Sequence, residues 1–182
     1  TCLTLSGILI ECRFFYGIKY LRSMQKQRVF TLEEAQKKLE HYCAYQERCH
    51  QEVEQKLRQM KMIPTAIDRI IGHLIEHNYL NESRFAQSFA RGKFRIKKWG
   101  KERILRELKL RNISPYNIRL AFKEIPEADY LSTLESLADK FWLANASREK
   151  QLQKKKVYNA LRYRGWENEL IFAEIKRLEN DL

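Results

Sequence analysis

Few side chains in this 182-residue chain are spaced for covalent chemistry. His41, Cys43, Cys49 and His50 cluster, and thiolate and imidazole are the ligands zinc prefers. Their Cys-x5-Cys spacing, with no second pair, is not that of a zinc knuckle. They read as structural or incidental residues, and no metal is expected. His73 and His77 stand four apart, on one face of a helix, and could share an ion. No third ligand lies near them in sequence. Glu33, Glu34, Glu52 and Glu54 take exposed helical spacings and read as surface partners for lysine. No Gly-rich phosphate loop, Gly-x-Ser-x-Gly or His-Glu-x-x-His occurs. No catalytic residue and no cofactor is therefore assigned, and a binding protein is expected rather than an enzyme.

Cationic side chains are the stronger signal. Lys and Arg number 35 against 23 Asp and Glu, a net charge of +12. That excess points to an anionic partner, nucleic acid ahead of a membrane surface or an acidic protein. Residues 81–113 hold 11 Lys or Arg and 3 Asp or Glu, an excess of +8, and 84–101 contain no acid. A merely solvating face mixes its signs, so this segment is read as anion-facing. On a helix at about 100° per residue, Arg84, Arg91, Arg95 and Lys98 form one stripe about 60° wide and roughly 21 Å long. This requires a helix unbroken through Gly92, which costs about 1 kcal/mol against Ala. Phe85, Phe89 and Ile96 form the apolar face that would dock it, with Trp99 between the two. Lys93 and Lys97 fall on the far side of that face. Lys101 and Arg103 follow just beyond. The expected contacts to DNA or to an acidic protein strip are therefore Arg84, Arg91, Arg95, Lys98, Lys101 and Arg103. Lys154, Lys155, Lys156, Arg162 and Arg164 form a secondary basic cluster. It is interleaved with Tyr158 and Tyr163, whose rings could stack on bases or lie partly buried between helices.

The scaffold for these side chains shows itself as a repeat. Val53, Leu57, Met62, Ile67, Ile71 and Leu74 are spaced by 4, 5, 5, 4 and 3. The same steps relate Ile104, Leu108, Ile113, Ile118, Phe122 and Ile125, and again Val157, Leu161, Trp166, Ile171, Ile175 and Leu178. The offsets are 51 and 53 residues, a period to be read as a tandem array. Pro64 aligns with Pro115. Ser114 before Pro115 is a helix-start signal, because Ser caps and Pro at N1 gives up no needed N–H. Gly165 before Trp166 is a helix-stop signal. A further helix precedes each pair: Thr31-x-x-Glu34 reads as a capping box, Phe85, Ala86, Phe89 and Ala90 have helical period, and so do Leu134, Leu137, Ala138 and Phe141.

The expected fold is all-α: three tandem three-helix units, helix-turn-helix-like, over 31–80, 81–125 and 126–182, in an elongated, curved arrangement. One such unit is marginal alone, and packing against neighbours supplies the missing burial. Aromatics at 12% exclude a wholly disordered chain, and 6 Gly with 3 Pro argue against a turn-rich β-sandwich. Residues 1–30 read as an N-terminal extension. The chain begins with Thr1 and its first Met is Met24, so 1–23 are expected to lie upstream of a natural start. Leu3–Ile10 is too short to span a bilayer and lacks the leading basic residue of a signal peptide. The four Cys are expected to be free thiols of a cytoplasmic protein.

The middle unit also carries a resemblance. Asn78-Tyr-Leu-Asn-Glu-Ser-Arg84-Phe85-Ala86-Gln-Ser-Phe89, followed by Trp99-Gly100-Lys-Glu-Arg103-Ile104-Leu-Arg-Glu-Leu108 and Arg111-Asn-Ile113, resembles the signature of the RecX family, bacterial regulators of the RecA recombinase. Asn81 replaces the usual first acidic residue, and Asn78 and Asn112 stand where Gly is common. Asn tolerates the left-handed backbone nearly as well as Gly, so both turns are expected to survive. The resemblance implies an all-α array of three such units that binds in the groove of the RecA–DNA filament. It implies inhibition of filament growth, ATP hydrolysis and strand exchange, hence regulation of DNA repair and recombination. It brings no catalytic residues. The expected partners are the RecA filament and DNA, held largely through phosphates, with no membrane, and the protein is expected to be a monomer. The rival readings are a DNA-binding helix-turn-helix regulator and a non-specific nucleic-acid-binding protein. The first would read bases with 115–125, where Arg119 and Lys123 are the basic residues and Glu124 sits beside them.

Overall fold

The computed structural model describes residues 30–180. Residues 1–29, with the expectation about Met24, and 181–182 lie outside the described residues. Among the described residues there are nine helices and no strand: α1 (Leu32–Tyr45), α2 (His50–Gln59), α3 (Pro64–Glu76), α4 (Glu82–Lys97), α5 (Lys101–Leu110), α6 (Pro115–Phe122), α7 (Glu127–Leu143), α8 (Lys150–Tyr163) and α9 (Asn168–Asn180). They fall into three successive sets of three, the all-α tandem architecture that the spacing predicts. Their starts follow local chemistry. Thr31 and Glu34 form the expected capping box, each side chain accepting the other's backbone N–H at 3.2 Å. The Ser114 hydroxyl accepts from Asn117 N–H at 3.4 Å, with Pro115 next in line. The Asn81 side chain caps α4 by accepting from Arg84 N–H at 3.0 Å.

The first of the two steps of five inside the repeat has a backbone cause. The second helix of each set ends on a left-handed residue: Lys61 (φ 59°), Asn112 (φ 56°) and Gly165 (φ 82°). The next residue turns back and donates its N–H to a carbonyl five positions earlier. These bonds are Met62 to Leu57 at 3.2 Å, Ile113 to Leu108 at 3.1 Å and Trp166 to Leu161 at 3.3 Å. This is the Schellman closure, which brings its two end residues into apolar contact. The apolar pair five apart is thus the signature of a helix stop. Asn78 (φ 57°) closes α3 in the same way, with Tyr79 N–H bonded to the Leu74 carbonyl at 2.8 Å. Both asparagines expected to accept the left-handed backbone do so.

Two cores result. α1–α3 enclose Ala35, Leu39, Val53, Leu57, Ile67, Ile70 and Leu74. A second core runs continuously from Phe85 to Leu178 through α4–α9, and Cys49 from the first set joins it. The second and third sets are fastened backbone to backbone. Gly100 N–H bonds the Arg164 carbonyl at 2.9 Å, and Glu102 N–H bonds the Gly165 carbonyl at 3.2 Å. A Cβ on Gly100 would lie 2.6 Å from Trp166 N and closer still to the Gly165 carbonyl. One on Gly165 would lie 2.8 Å from Arg103 Cα. Beside this crossing the Tyr130 hydroxyl donates to Glu167 at 2.6 Å and accepts from Lys101 N–H at 2.9 Å. The joint between the first and second sets is more polar: beside buried Cys49 it is made by ion pairs and borders an open groove. It rests on Arg84–Glu47 at 2.6 Å and Arg111–Glu52 at 4.0 Å, beside a groove of about 370 Å³.

Candidate nucleic-acid interface

α4 does run unbroken through Gly92, as the expected stripe requires, but it ends one residue short of Lys98. Lys98 adopts φ 54°, so neither it nor Trp99 keeps the helical direction the wheel assigns. The apolar face is also displaced. Ile96, expected to dock, is 76% exposed, whereas Phe94, not singled out, is buried with Phe85, Ala86 and Ala90. Phe89 is only half-buried. The helix meets its core along a face centred opposite Arg91 and Arg95, which keeps those two in solvent.

The six expected contacts are distributed over five environments. Arg84 is half-buried and held: its guanidinium donates to Glu47 at 2.6 Å, to the Asn78 carbonyl at 2.9 Å and to the Asn78 side chain at 3.0 Å. Arg91 is exposed and paired with Glu124 of its own unit at 3.0 Å. Arg95 and Lys98 are exposed, as is Lys97, and none of the three has an ion-pair partner among the described residues. Lys101 pairs with Glu127 at 2.6 Å and lies 4.3 Å from the Tyr130 ring centroid. Arg103 stacks 4.1 Å from Trp99 and 4.9 Å from Tyr163, and donates to the Tyr163 carbonyl at 2.9 Å. Arg84, Lys101 and Arg103 therefore tie units together, and of the six only Arg95 and Lys98, at the C-terminal end of α4, stay exposed and unpaired.

That end has a neighbour the sequence does not mark. Lys98 and Lys140 line a groove of about 240 Å³ with Ser132, Thr133 and Ser136 of α7. Lys140 lies in a stretch, 114–147, whose own charge is net negative, so segment sums hide it. Two lysines and three hydroxyls are suited to phosphate oxygens. The secondary cluster also divides. Arg162 pairs with Glu102 across the joint. Arg164 lies 4.7 Å from the Phe141 ring and donates to the Ala160 carbonyl at 3.1 Å. Lys154 pairs with Glu179, while Lys155 and Lys156 are exposed. Tyr163 is exposed beside Arg103, and Tyr158 stacks on Phe172.

The remaining candidates for chemistry are committed elsewhere. Burial pushes the Cys43 thiol up to about 11 and raises Cys49 too, which keeps both out of the thiolate form needed for nucleophilic attack. His73 Nε2 lies 2.7 Å from Glu40 Oε1 and 3.0 Å from Gln36 Nε2, and its ring packs 4.0 Å from that of His77. Among the described residues no group of three or more His, Cys, Asp or Glu could hold a metal, and no helix is long and apolar enough to cross a membrane.

Comparison with known proteins agrees with the middle unit. The family model described as RecX, second three-helix domain, matches residues 81–121. Regulatory protein RecX of Yersinia enterocolitica is 31% identical over 118 residues, 65% of this chain and 66% of that protein. The chain belongs to the RecX family. Regulatory protein RecX of Lactobacillus gasseri is 28% identical over 139 residues, 76% of this chain and 51% of that protein. The chain thus spans about half the length of the RecX relatives first matched. The RecX crystal structure from Lactobacillus salivarius superposes with a TM-score of 0.70 at 22% identity, covering 81% of this chain and 96% of that one. A second regulatory protein RecX structure gives 0.69 at 19%, covering 80% and 74%. At those identities the likeness is one of fold. The RecX family is one of regulatory proteins by name.

Proposed function

We propose that this chain regulates the RecA recombinase by binding the RecA–DNA filament, and that it lowers recombinase activity. The observation that carries the reading is the unneutralised cation group Arg95, Lys97 and Lys98, on the unit matched by the family model. Arg91, half-spent on Glu124, extends it, and Lys140 faces it across the α7 groove. Arg84, Lys101 and Arg103 serve the same binding indirectly, by setting the angle between units. Units that each bind weakly gain from tethering, since every contact after the first is intramolecular. A chain of three can bridge adjacent recombinase subunits and block a step between them. The protein acts as a cytoplasmic monomer that binds and does not catalyse.

The test is strand exchange by the cognate recombinase, with this protein at substoichiometric and equal ratios. Inhibition by the parent is expected, with marked relief in Arg95→Ala/Lys97→Ala/Lys98→Ala. Each lost phosphate contact should also lower the salt slope of filament binding by about 0.7 to 0.9. An unchanged affinity and slope in that variant would make the group irrelevant. The helix-turn-helix rival is less well served by the geometry. α6 offers Arg119 as its sole basic residue, with Lys123 just past its end and Glu124 engaged with Arg91.

A further inference from the structure

Away from the middle unit, α8 and α9 form a groove that the regulatory reading leaves unused. Its volume is about 530 Å³, and its walls include Lys154, Lys155, Tyr158, Phe172, Ile175 and Lys176. The Tyr158 and Phe172 rings stack with centroids 5.4 Å apart and planes 25° from parallel. Phe172 is 59% exposed, next to the buried face that Ile171, Ile175 and Leu178 turn to the core. The Tyr158 hydroxyl is fixed on the Asn168 side chain at 3.1 Å, which orients the stack. A cation row lies one turn away: Lys155 on α8, and Lys176 one turn beyond Phe172 on α9. The carboxylate of Glu179 is already neutralised by Lys154.

The charge layout works against the helix that bears it. Past Glu149 at its N-cap, α8 has no acidic residue, yet it carries Lys150 in its first turn and Lys154, Lys155 and Lys156 in its second. Lys150 in the first turn opposes the macrodipole, and of the second-turn lysines only Lys154 has an ion-pair partner, Glu179, which leaves Lys155 and Lys156 exposed and unpaired. We infer that the α8–α9 groove seats single-stranded nucleic acid, with a base on the Tyr158–Phe172 stack and phosphates on Lys155 and Lys176. Flat exposed rings flanked by lysine suit unstacked bases, every one of which has a π-face. Duplex bases are already stacked and cannot reach the ring. An acidic protein segment would use the lysines but gains little from the ring pair. The inference needs no recombinase, so it stands or falls apart from the function proposed above.

The experiment is fluorescence anisotropy of the full chain with a labelled oligo-dT and with a duplex of equal length. Phe172→Ala should weaken oligo-dT binding roughly ten-fold, within the range for loss of one stacked base, and leave the duplex affinity unchanged. Phe172→Trp should restore binding, and its added fluorescence should be quenched by oligo-dT. Lys155→Ala/Lys176→Ala should reduce the salt slope on oligo-dT by about 1.4, at about 0.7 per single-strand phosphate. Phe172 is exposed, so an unchanged thermal midpoint will confirm that Phe172→Ala folds. The inference is overturned if the parent does not bind oligo-dT. It is also overturned if Phe172→Ala binds as the parent does, as a docked acidic protein would predict, or if single strand and duplex lose affinity equally.

Discussion

The Gly100–Gly165 crossing sets how the second and third units meet, and replacing either glycine by Ala should break it. Gly165→Ala carries two penalties. Its backbone stands at φ 82°, and a left-handed L-residue costs about 1–2 kcal/mol. Its new Cβ would also lie 2.5 Å from Arg103 N and 2.8 Å from Arg103 Cα. Those are atoms of a helix backbone, which cannot swing aside as a side-chain tip can. Overpacking of that kind costs about 1–3 kcal/mol, so the sum is about 2–5 kcal/mol. Gly100→Ala has an ordinary φ of −75° and carries only the steric part. Urea unfolding followed by the fluorescence of buried Trp166, which abuts the crossing, reads both. With a slope of about 2 kcal/mol per M, Gly165→Ala should move the midpoint down by about 1–2.5 M and Gly100→Ala by less. Once one substitution has opened the crossing the other has less left to break, so the double variant should fall short of the sum. If either single variant unfolds within about 0.5 kcal/mol of the parent, the scale of an ordinary surface change, the crossing is not the fastening described.

Tyr130→Phe removes a hydroxyl that links Lys101 N–H to Glu167. It should destabilise by about 1–3 kcal/mol in the same assay, the cost of leaving partly buried polar groups unpaired. Asn112→Ala should cost about 1–2 kcal/mol through its left-handed backbone alone, while Asn112→Gly should be close to neutral. The Cys43 thiol, raised to about 11 by burial, should resist a thiol reagent at pH 8 in the folded protein and react once urea is added. Glu40 is held below 4.5, first by the Gln36 amide and then by His73. Its folded-state value is depressed, so its stabilising contribution is full above pH 4.5 and is lost as pH falls below that. Glu40→Gln should flatten stability against pH in that acid range, by lowering stability at neutral pH and leaving it nearly unchanged in acid.

How much of this was legible depends on the range of the interaction. The capping box at Thr31, the Ser114–Pro115 start and the turns at Asn78 and Asn112 are closed by residues within six positions. The six-point apolar spacing could be read because each helix stop brings residues five apart together. The stripe failed where it depended on a boundary: the left-handed backbone of Lys98 has no Gly or Asn to mark it. Ile96 is apolar by type yet exposed, because it lines the open groove between the first and second sets rather than a core. Phe94 is buried on a flank the wheel left polar.

The linear order of residues determined the helices, their ends, their grouping into threes and the place where positive charge accumulates, since each is a matter of short spacing and composition. The fate of each charge was decided by the tertiary structure. Arg84, Lys101 and Arg103 find Glu47, Glu127 and Tyr163 only when units pack. Lys140 meets Lys98, and Phe172 meets Tyr158, only across helices. A guanidinium has the same charge whether it fastens two units or faces a phosphate. Which it does depends on the carboxylates and rings within about 4 Å of it, and those come from distant parts of the chain.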